Sequence, residues 1–186
     1  MKSIRSLFSR SKKSEKSLLG ILDAVVDMEF YLDLRPSSNA GILVKPLKTH
    51  YYRESENIIR EMLQLIEDSY KTRSQIEKDS YGYTWILMED EDFEDLVNAV
   101  YMLESVFEDH NLKNQILVGV FRFEGDYRLY WIYSFKKGKF YPFIPEEPSE
   151  KKRNTAQELR VANLMEKILP VEKKVEEWFP LWDIPF

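Results

Sequence analysis

Residues 115–142 read QILVGVFRFEGDYRLYWIYSFKKGKFYP, and this stretch decides the fold. Three runs of large apolar side chains are divided by two turn signals, Gly125-Asp126 and Lys137-Gly138, the pattern of a three-stranded antiparallel meander. Side chains alternate across a strand, so Ile116, Val118 and Val120 share one face. The turn at Gly125-Asp126 sets Leu129, Trp131, Tyr133 and Phe135 on that same face, and Phe140 joins them after the second turn. Leu117, Phe121, Phe123, Tyr130 and Ile132 fall on the reverse. Both faces are apolar, and both need a cover or a partner.

The chain around this meander has 186 residues, 44% hydrophobic and 14% aromatic, enough apolar mass for one substantial core. It contains no cysteine, which removes disulfides, a thiol nucleophile and cysteine-ligated metals, and gives a secretory address no support. No apolar run reaches the roughly 20 residues that span a bilayer, so a cytoplasmic protein is expected. The net charge of -5 hides an asymmetry. Residues 1–16 hold six basic side chains against Glu15, about +5, leaving about -10 on the rest. Ile4, Leu7 and Phe8 recur at helical spacing there, and with Arg5, Arg10, Lys12 and Lys13 they form a candidate peripheral contact with an anionic membrane. A solvated terminus and a mitochondrial presequence are the competing readings of the same segment. The expected organisation is a basic tail, 1–16, and a single domain, 17–186.

Apolar positions from Leu18 to Val26 predict a first helix ending near Asp27, after which Met28, Phe30, Leu32 and Leu34 alternate as a half-buried strand. Residues 36–41 read as a turn, and Ile42, Leu43 and Val44 as a short strand that Pro46 places at a sheet edge or at its end. Ile58, Ile59, Met62, Leu65, Ile66 and Tyr70 predict an amphipathic helix over 53–73. Tyr81, Tyr83, Trp85 and Leu87 predict a strand, with Gly82 at a bulge or close approach. The spacing of Phe93, Leu96, Val97, Val100, Leu103 and Phe107 predicts a helix over 92–107. Pro142, Pro145 and Pro148 mark a stiff connection, and Thr155 with Glu158 has the spacing of a capping box opening a last helix that Pro170 stops. The end of the chain is rich in bulky residues, including Trp178, Phe179 and Trp182, and is expected to pack on the sheet.

Little in the chain points to catalysis. Asp90, Asp92 and Glu94 alternate as the first ligands of a calcium loop do, but Asp95 stands where the turn glycine is required and Tyr101 where the bidentate Glu belongs. These carboxylates read better as caps of the helix that follows. His50 and His110, the only histidines, lack metal spacing and a serine elbow, and no Walker or dinucleotide loop is present. No cofactor is implied. Arg122, Arg128, Lys136, Lys137 and Lys139 beside aromatic strands raise single-stranded nucleic acid, but an acidic body opposes phosphate binding.

Five strings carry a family resemblance: Tyr81-Gly82-Tyr83-Thr84-Trp85; residues 135–143; Arg153-Asn154 with Glu158-Leu159; Leu169-Pro170-Val171-Glu172; and Trp178-Phe179-Pro180-Leu181-Trp182. In this order they resemble the PspA-associated protein PspAB family, well from Tyr81 onward and loosely before it. The resemblance implies a phage-shock or envelope-stress association with PspA, a coiled-coil membrane-remodelling protein, and supplies no catalytic residues. The expectation is an α+β domain, a mainly antiparallel sheet with packed helices. It would be a non-catalytic adaptor binding a PspA-like coiled-coil partner through Phe121, Phe123, Tyr130, Trp178, Phe179 and Trp182. The alternatives are a chaperone-like binding module of the secretion-chaperone or YbjN-like kind, favoured by an exposed apolar sheet face, and an unrecognised enzyme, favoured by a deep pocket with converging carboxylates or a histidine.

Overall fold

A computed structural model describes residues 18–46 and 52–186, side chains 52–55 and 148 excepted. The elements run α1 (Gly20–Leu32), β1 (Arg35–Val44), α2 (Tyr52–Tyr70), β2 (Arg73–Lys78), β3 (Thr84–Glu89), α3 (Phe93–Asp109), β4 (Ile116–Glu124), β5 (Arg128–Ser134), β6 (Lys139–Phe143), β7 (Pro145–Glu147), β8 (Lys152–Arg153) and α4 (Thr155–Met165). Six strands form one antiparallel sheet in the order β2-β3-β1-β4-β5-β6, and β7-β8 make a small ribbon. The α+β class and the central meander are as the sequence predicts.

The register of the meander differs from the sequence reading. Glu124 pairs with Arg128, so the β4–β5 loop holds three residues, Gly125, Asp126 and Tyr127, instead of two. One extra residue reverses the parity of every pair downstream. Phe121 therefore faces Trp131, Phe123 faces Leu129, and Val120 faces Ile132. Trp131, Tyr133 and Phe140 share a face with Phe121 and Phe123, and the smaller Val118 and Val120 lie opposite with Tyr130, Ile132 and Tyr141.

The aromatic face lies under the helices. Phe93 of α3 packs edge-on against Phe121 and Phe123 at 5.9 and 5.3 Å, and the Trp131 indole N–H donates to Met28 Sδ of α1 at 3.1 Å. Gly119 leaves room for Val100 and Phe135, whose nearest atoms would stand 3.3 and 3.4 Å from an added Cβ.

Other departures have local causes. Met28 and Leu32 extend the stripe of Leu18, Ile21 and Ala24, so α1 continues to Leu32 where a strand was expected. Asp33, in the left-handed region at φ 51°, ends it. Residues 36–41 belong to β1 and not to a turn: the turn-forming residues sit at a bulge where Pro36 opposite Phe123 is followed by Ala40 opposite Phe121. β1 lies between β3 and β4, so Pro46 marks no sheet edge; it follows the last paired residue, Val44. α2 stops at Tyr70, and Arg73 opens β2, an edge strand whose polar residues carry little apolar alternation. Pro142 lies inside β6, opposite Trp131, at the outer edge of the sheet where no ladder hydrogen bond is required.

Gly125 touches the end of α1: a Cβ there would collide with the Asp33 carbonyl oxygen. Gly20 has space, its nearest atom 3.9 Å from such a Cβ. In chemical denaturation Gly125→Ala is expected to lower stability by about 1–3 kcal/mol, and Gly20→Ala to raise it by roughly 0.4–1 kcal/mol.

Candidate functional site

The face of the sheet turned away from the helices carries the C-terminal segment as a strap. Its root is joined to β6: Phe140 N–H donates to Pro170 O at 2.9 Å, and Glu172 N–H donates to Phe140 O at 2.8 Å. The buried Glu172 carboxylate accepts from Lys174 N–H at 3.1 Å and lies 3.4 Å from Lys139 Nζ and 3.6 Å from Lys137 Nζ. The Lys174 N–H first, and then these ammonium groups, hold its carboxyl below the ordinary range. Trp178 follows, buried, its indole N–H donating to Glu172 O at 2.8 Å.

An ion pair between a buried carboxylate and a partly buried guanidinium fixes the next step. Glu158 is fully buried and accepts from Ile144 N–H at 2.8 Å and from Arg153 Nε at 2.8 Å. Arg153 Nη1 then donates to Trp178 O at 2.8 Å, and its guanidinium stands 5.3 Å from the Phe143 ring centroid. Burial pushes the Glu158 carboxyl up, opposed by Arg153. The expected capping box is thereby corrected: Asn154 is the N-cap, accepting from Gln157 N–H at 2.9 Å, and Glu158 turns inward to Arg153.

Beyond Trp178 the tyrosines of this face hold the strap by its backbone. Tyr141 Oη donates to Phe179 O at 3.1 Å and Tyr130 Oη to Phe186 O at 2.7 Å. Burial raises the Tyr141 hydroxyl well above its ordinary range, so it remains a donor. Trp182 stands edge-on to Phe143 at 5.2 Å, and Phe186 edge-on to Trp85 at 6.4 Å. Gly41 permits the last contact, since a Cβ there would lie 2.8 Å from the Phe186 ring.

Between the strap and the β2–β3 loop lies a trough of about 980 Å³. Leu43, Trp85 and Val118 line it with Tyr81 and Tyr83 on one side and Phe179 to Asp183 on the other. Asp79 shapes the tyrosine side, its carboxylate accepting from Tyr81 N–H and Tyr83 N–H at 2.9 Å each. Gly82, at φ 84°, supplies the turn before β3 and no bulge within it.

The predicted contact residues are divided by this geometry. Phe121 and Phe123 are fully buried beneath α3, Tyr130 is buried under the strap, and Trp178 of the strap is itself buried, so none of the four offers a surface to a partner. Trp182 is half-buried, and Phe179 is 61% exposed at the trough wall. A separate apolar surface, which the reading of 28–34 as a strand concealed, lies on α1: Val26 and Phe30 are 73% and 79% exposed. Of the acidic cluster, Asp92 caps α3 by accepting from Glu94 N–H at 2.9 Å, and Asp90 accepts from Thr72 Oγ1 at 2.7 Å. His110 is exposed at the end of α3. Ile4, Arg5, Leu7, Phe8, Arg10, Lys12 and Lys13 lie outside the described residues, as does His50. Arg153, Glu158 and Glu172, which hold the strap, escaped the sequence reading as functional residues, although all three stand in the strings that carried the family resemblance.

The architecture defines an α+β domain with helices on one sheet face and a strapped trough on the other. The family model for PspA associated protein B matches residues 1–186, and the chain belongs to that family. No curated protein and no solved structure matches it.

Two consequences are measurable. Glu158→Ala leaves a partly buried guanidinium without its counter-ion and is expected to cost about 3 kcal/mol in denaturant unfolding, the lower end for such pairs. The depressed Glu172 carboxyl gives stability present above the ordinary value of 4.5 and lost as pH falls below it through the folded value. Tryptophan emission should therefore shift to the red on acidification below that point, and Glu172→Gln should remove this component while leaving the emission at neutral pH near that of the wild type.

Proposed function

We propose that this protein is a non-catalytic adaptor or regulator of a PspA-type envelope-stress response, acting by binding a PspA-like coiled-coil protein. The family name supports the association, and the observation that carries the surface is Phe179, a large aromatic side chain 61% exposed on a strap that is otherwise tied down. An exposed aromatic group on a fixed backbone loses little freedom when a partner covers it. Its neighbour, the trough, adds apolar area that a partner helix or extended segment would remove from water. Among the described residues no helix is long and apolar enough to cross a membrane. The working location in this reading is the cytoplasm, with a peripheral membrane contact through residues 1–16.

The direct experiment is capture of a purified PspA homologue by the full chain. Binding at micromolar concentration is expected, with a loss of roughly tenfold or more in Phe179→Ala, the size of a typical aromatic contact residue. No capture by the wild-type chain rejects the partner. Capture lost in Phe30→Ser and kept in Phe179→Ala moves the surface to α1. For the membrane contact, flotation with anionic liposomes should fall on deletion of residues 1–14; unchanged flotation rejects it.

A further inference from the structure

The trough beside Phe179 has an electrostatic character opposite to that of the chain. Five lysines line it against three carboxylates, on a protein whose net charge is -5. Two of these lysines are already engaged: Lys113 with Glu108 at 2.9 Å, and Lys137 with Glu177 at 2.7 Å. Lys45, Lys136 and Lys151 are exposed, and among the described residues none of them has a carboxylate partner. Two of the three carboxylates are occupied, Asp79 by the backbone N–H groups of its own loop and Glu177 by Lys137. Backbone N–H groups leave the charge of Asp79 in place, so the charge outside ion pairs is Lys45, Lys136 and Lys151 against Asp79 and Asp183, net cationic, beside the half-buried Val118 and the exposed rings of Tyr81 and Phe179.

We infer that this trough is a docking site for an acidic amphipathic segment of a partner protein, its apolar side chains lying on Tyr81, Val118 and Phe179 and its Asp or Glu side chains reaching Lys45, Lys136 and Lys151. Charge complementarity selects this occupant. A nucleic acid would find the same lysines, but it would bring its phosphates against an acidic protein. A segment with carboxylates only beside its apolar row gains the lysines without that penalty. The inference rests on the adaptor reading and adds the chemistry of the segment recognised.

The test uses the full-length protein and three synthetic fluorescein-labelled peptides sharing one apolar row of Leu and Phe, flanked by Glu, by Lys or by Gln. Fluorescence anisotropy is expected to rank Glu above Gln above Lys, with about tenfold between the extremes for three exposed pairs. The preference should weaken with added salt. The triple variant Lys45→Glu, Lys136→Glu and Lys151→Glu, all surface changes, should abolish or invert the ranking with unchanged thermal unfolding. Because residues 1–16 keep their basic side chains in this variant, an acidic preference that survives in it belongs to them and overturns the trough assignment. Equal binding of the three peptides overturns it as well. So does a dimer, seen by sedimentation, that only the triple variant dissolves, because the occupant is then a second copy of the chain. Capture of a PspA homologue separates the two levels: a wild-type chain that captures it equally well as the triple variant rejects this site and keeps the adaptor reading, whereas a wild-type chain that prefers the Glu peptide but captures no homologue rejects that partner alone.

Discussion

Phe121 standing opposite Trp131 is the constraint on which the remainder of the molecule depends. A sheet residue has two faces to choose from, and the three-residue loop at 125–127 makes the choice for all of β5 at once. It gathers Phe121, Phe123, Leu129, Trp131, Tyr133 and Phe140 on one side, where the helices keep them dry. It leaves Tyr130 and Tyr141 on the other, where their hydroxyls meet the strap. With a two-residue loop Trp131 would face the strap, and the Tyr130 hydroxyl would be driven among apolar helix side chains with no partner. Burying such a hydroxyl without a hydrogen bond costs roughly 1–3 kcal/mol on protein scales.

The strap satisfies a different requirement. Pro170, Pro180 and Pro185 deny residues 169–186 a continuous helix, so their backbone groups must find partners outside the segment. Tyr130, Tyr141 and Arg153 meet part of that demand by donating to Phe186, Phe179 and Trp178 carbonyl oxygens. Apolar contact alone would hold Trp178, Trp182 and Phe186 to the sheet without fixing their register. The Arg153–Glu158 pair supplies direction, since a guanidinium has its donors in one plane and here divides them between a carboxylate and a main-chain oxygen. Such a pair adds little net stability relative to an apolar core, but removing one half of it is costly.

The sequence made the meander legible because its three apolar runs are longer than any competing period and its turns carry glycine. The two long amphipathic helices were legible for the same reason: Ile59, Met62 and Ile66, or Leu96, Val100, Leu103 and Phe107, admit only one periodicity, although the stripe was read through the exposed Leu65 in place of the buried Leu63. α1 was legible only to about Asp27, because the exposed Phe30 stands between Met28 and Leu32 and with Leu34 completes a period of two, although only Met28 and Leu32 continue the buried helical stripe. The first half of β1 was hidden by a bulge whose Pro, Ser, Asn and Gly are chosen by the same backbone demands as a turn, while Ile42, Leu43 and Val44 were read as a strand. β2 was hidden because an edge strand is protected by charges that erase its alternation. The site failed at a finer level. A core phenylalanine and a contact phenylalanine are the same letter, and only a one-residue loop difference separates Phe121 under α3 from a place beside the strap. The signal nearest to the strap lock was the co-occurrence of Arg153, Glu158, Glu172 and Trp178 in the strings shared with a family, with no indication that they meet.

The unequal covering of the sheet follows from dimensions. Six strands at roughly 4.8 Å spacing make a surface about 24 Å across. On one face, helices of about 10–12 Å diameter each cover some two strands, and several of them close it. On the other face, among the described residues, a single strap crosses, and one chain is too narrow to do the same. The area left between the strap and the β2–β3 loop is the trough, so its existence requires no special cavity-forming residues, only a strap in place of a second helical layer. Leaving Tyr81, Phe179 and part of Val118 beside water invites association of any kind. Lysines at the rim bias that association by sign, repelling basic surfaces and the charge of further lysine-rimmed copies while admitting acidic ones. In the proposed docking reading, an acidic chain whose lysines border the sheet face that its described residues cover incompletely uses a geometric shortfall of the fold as a selective surface.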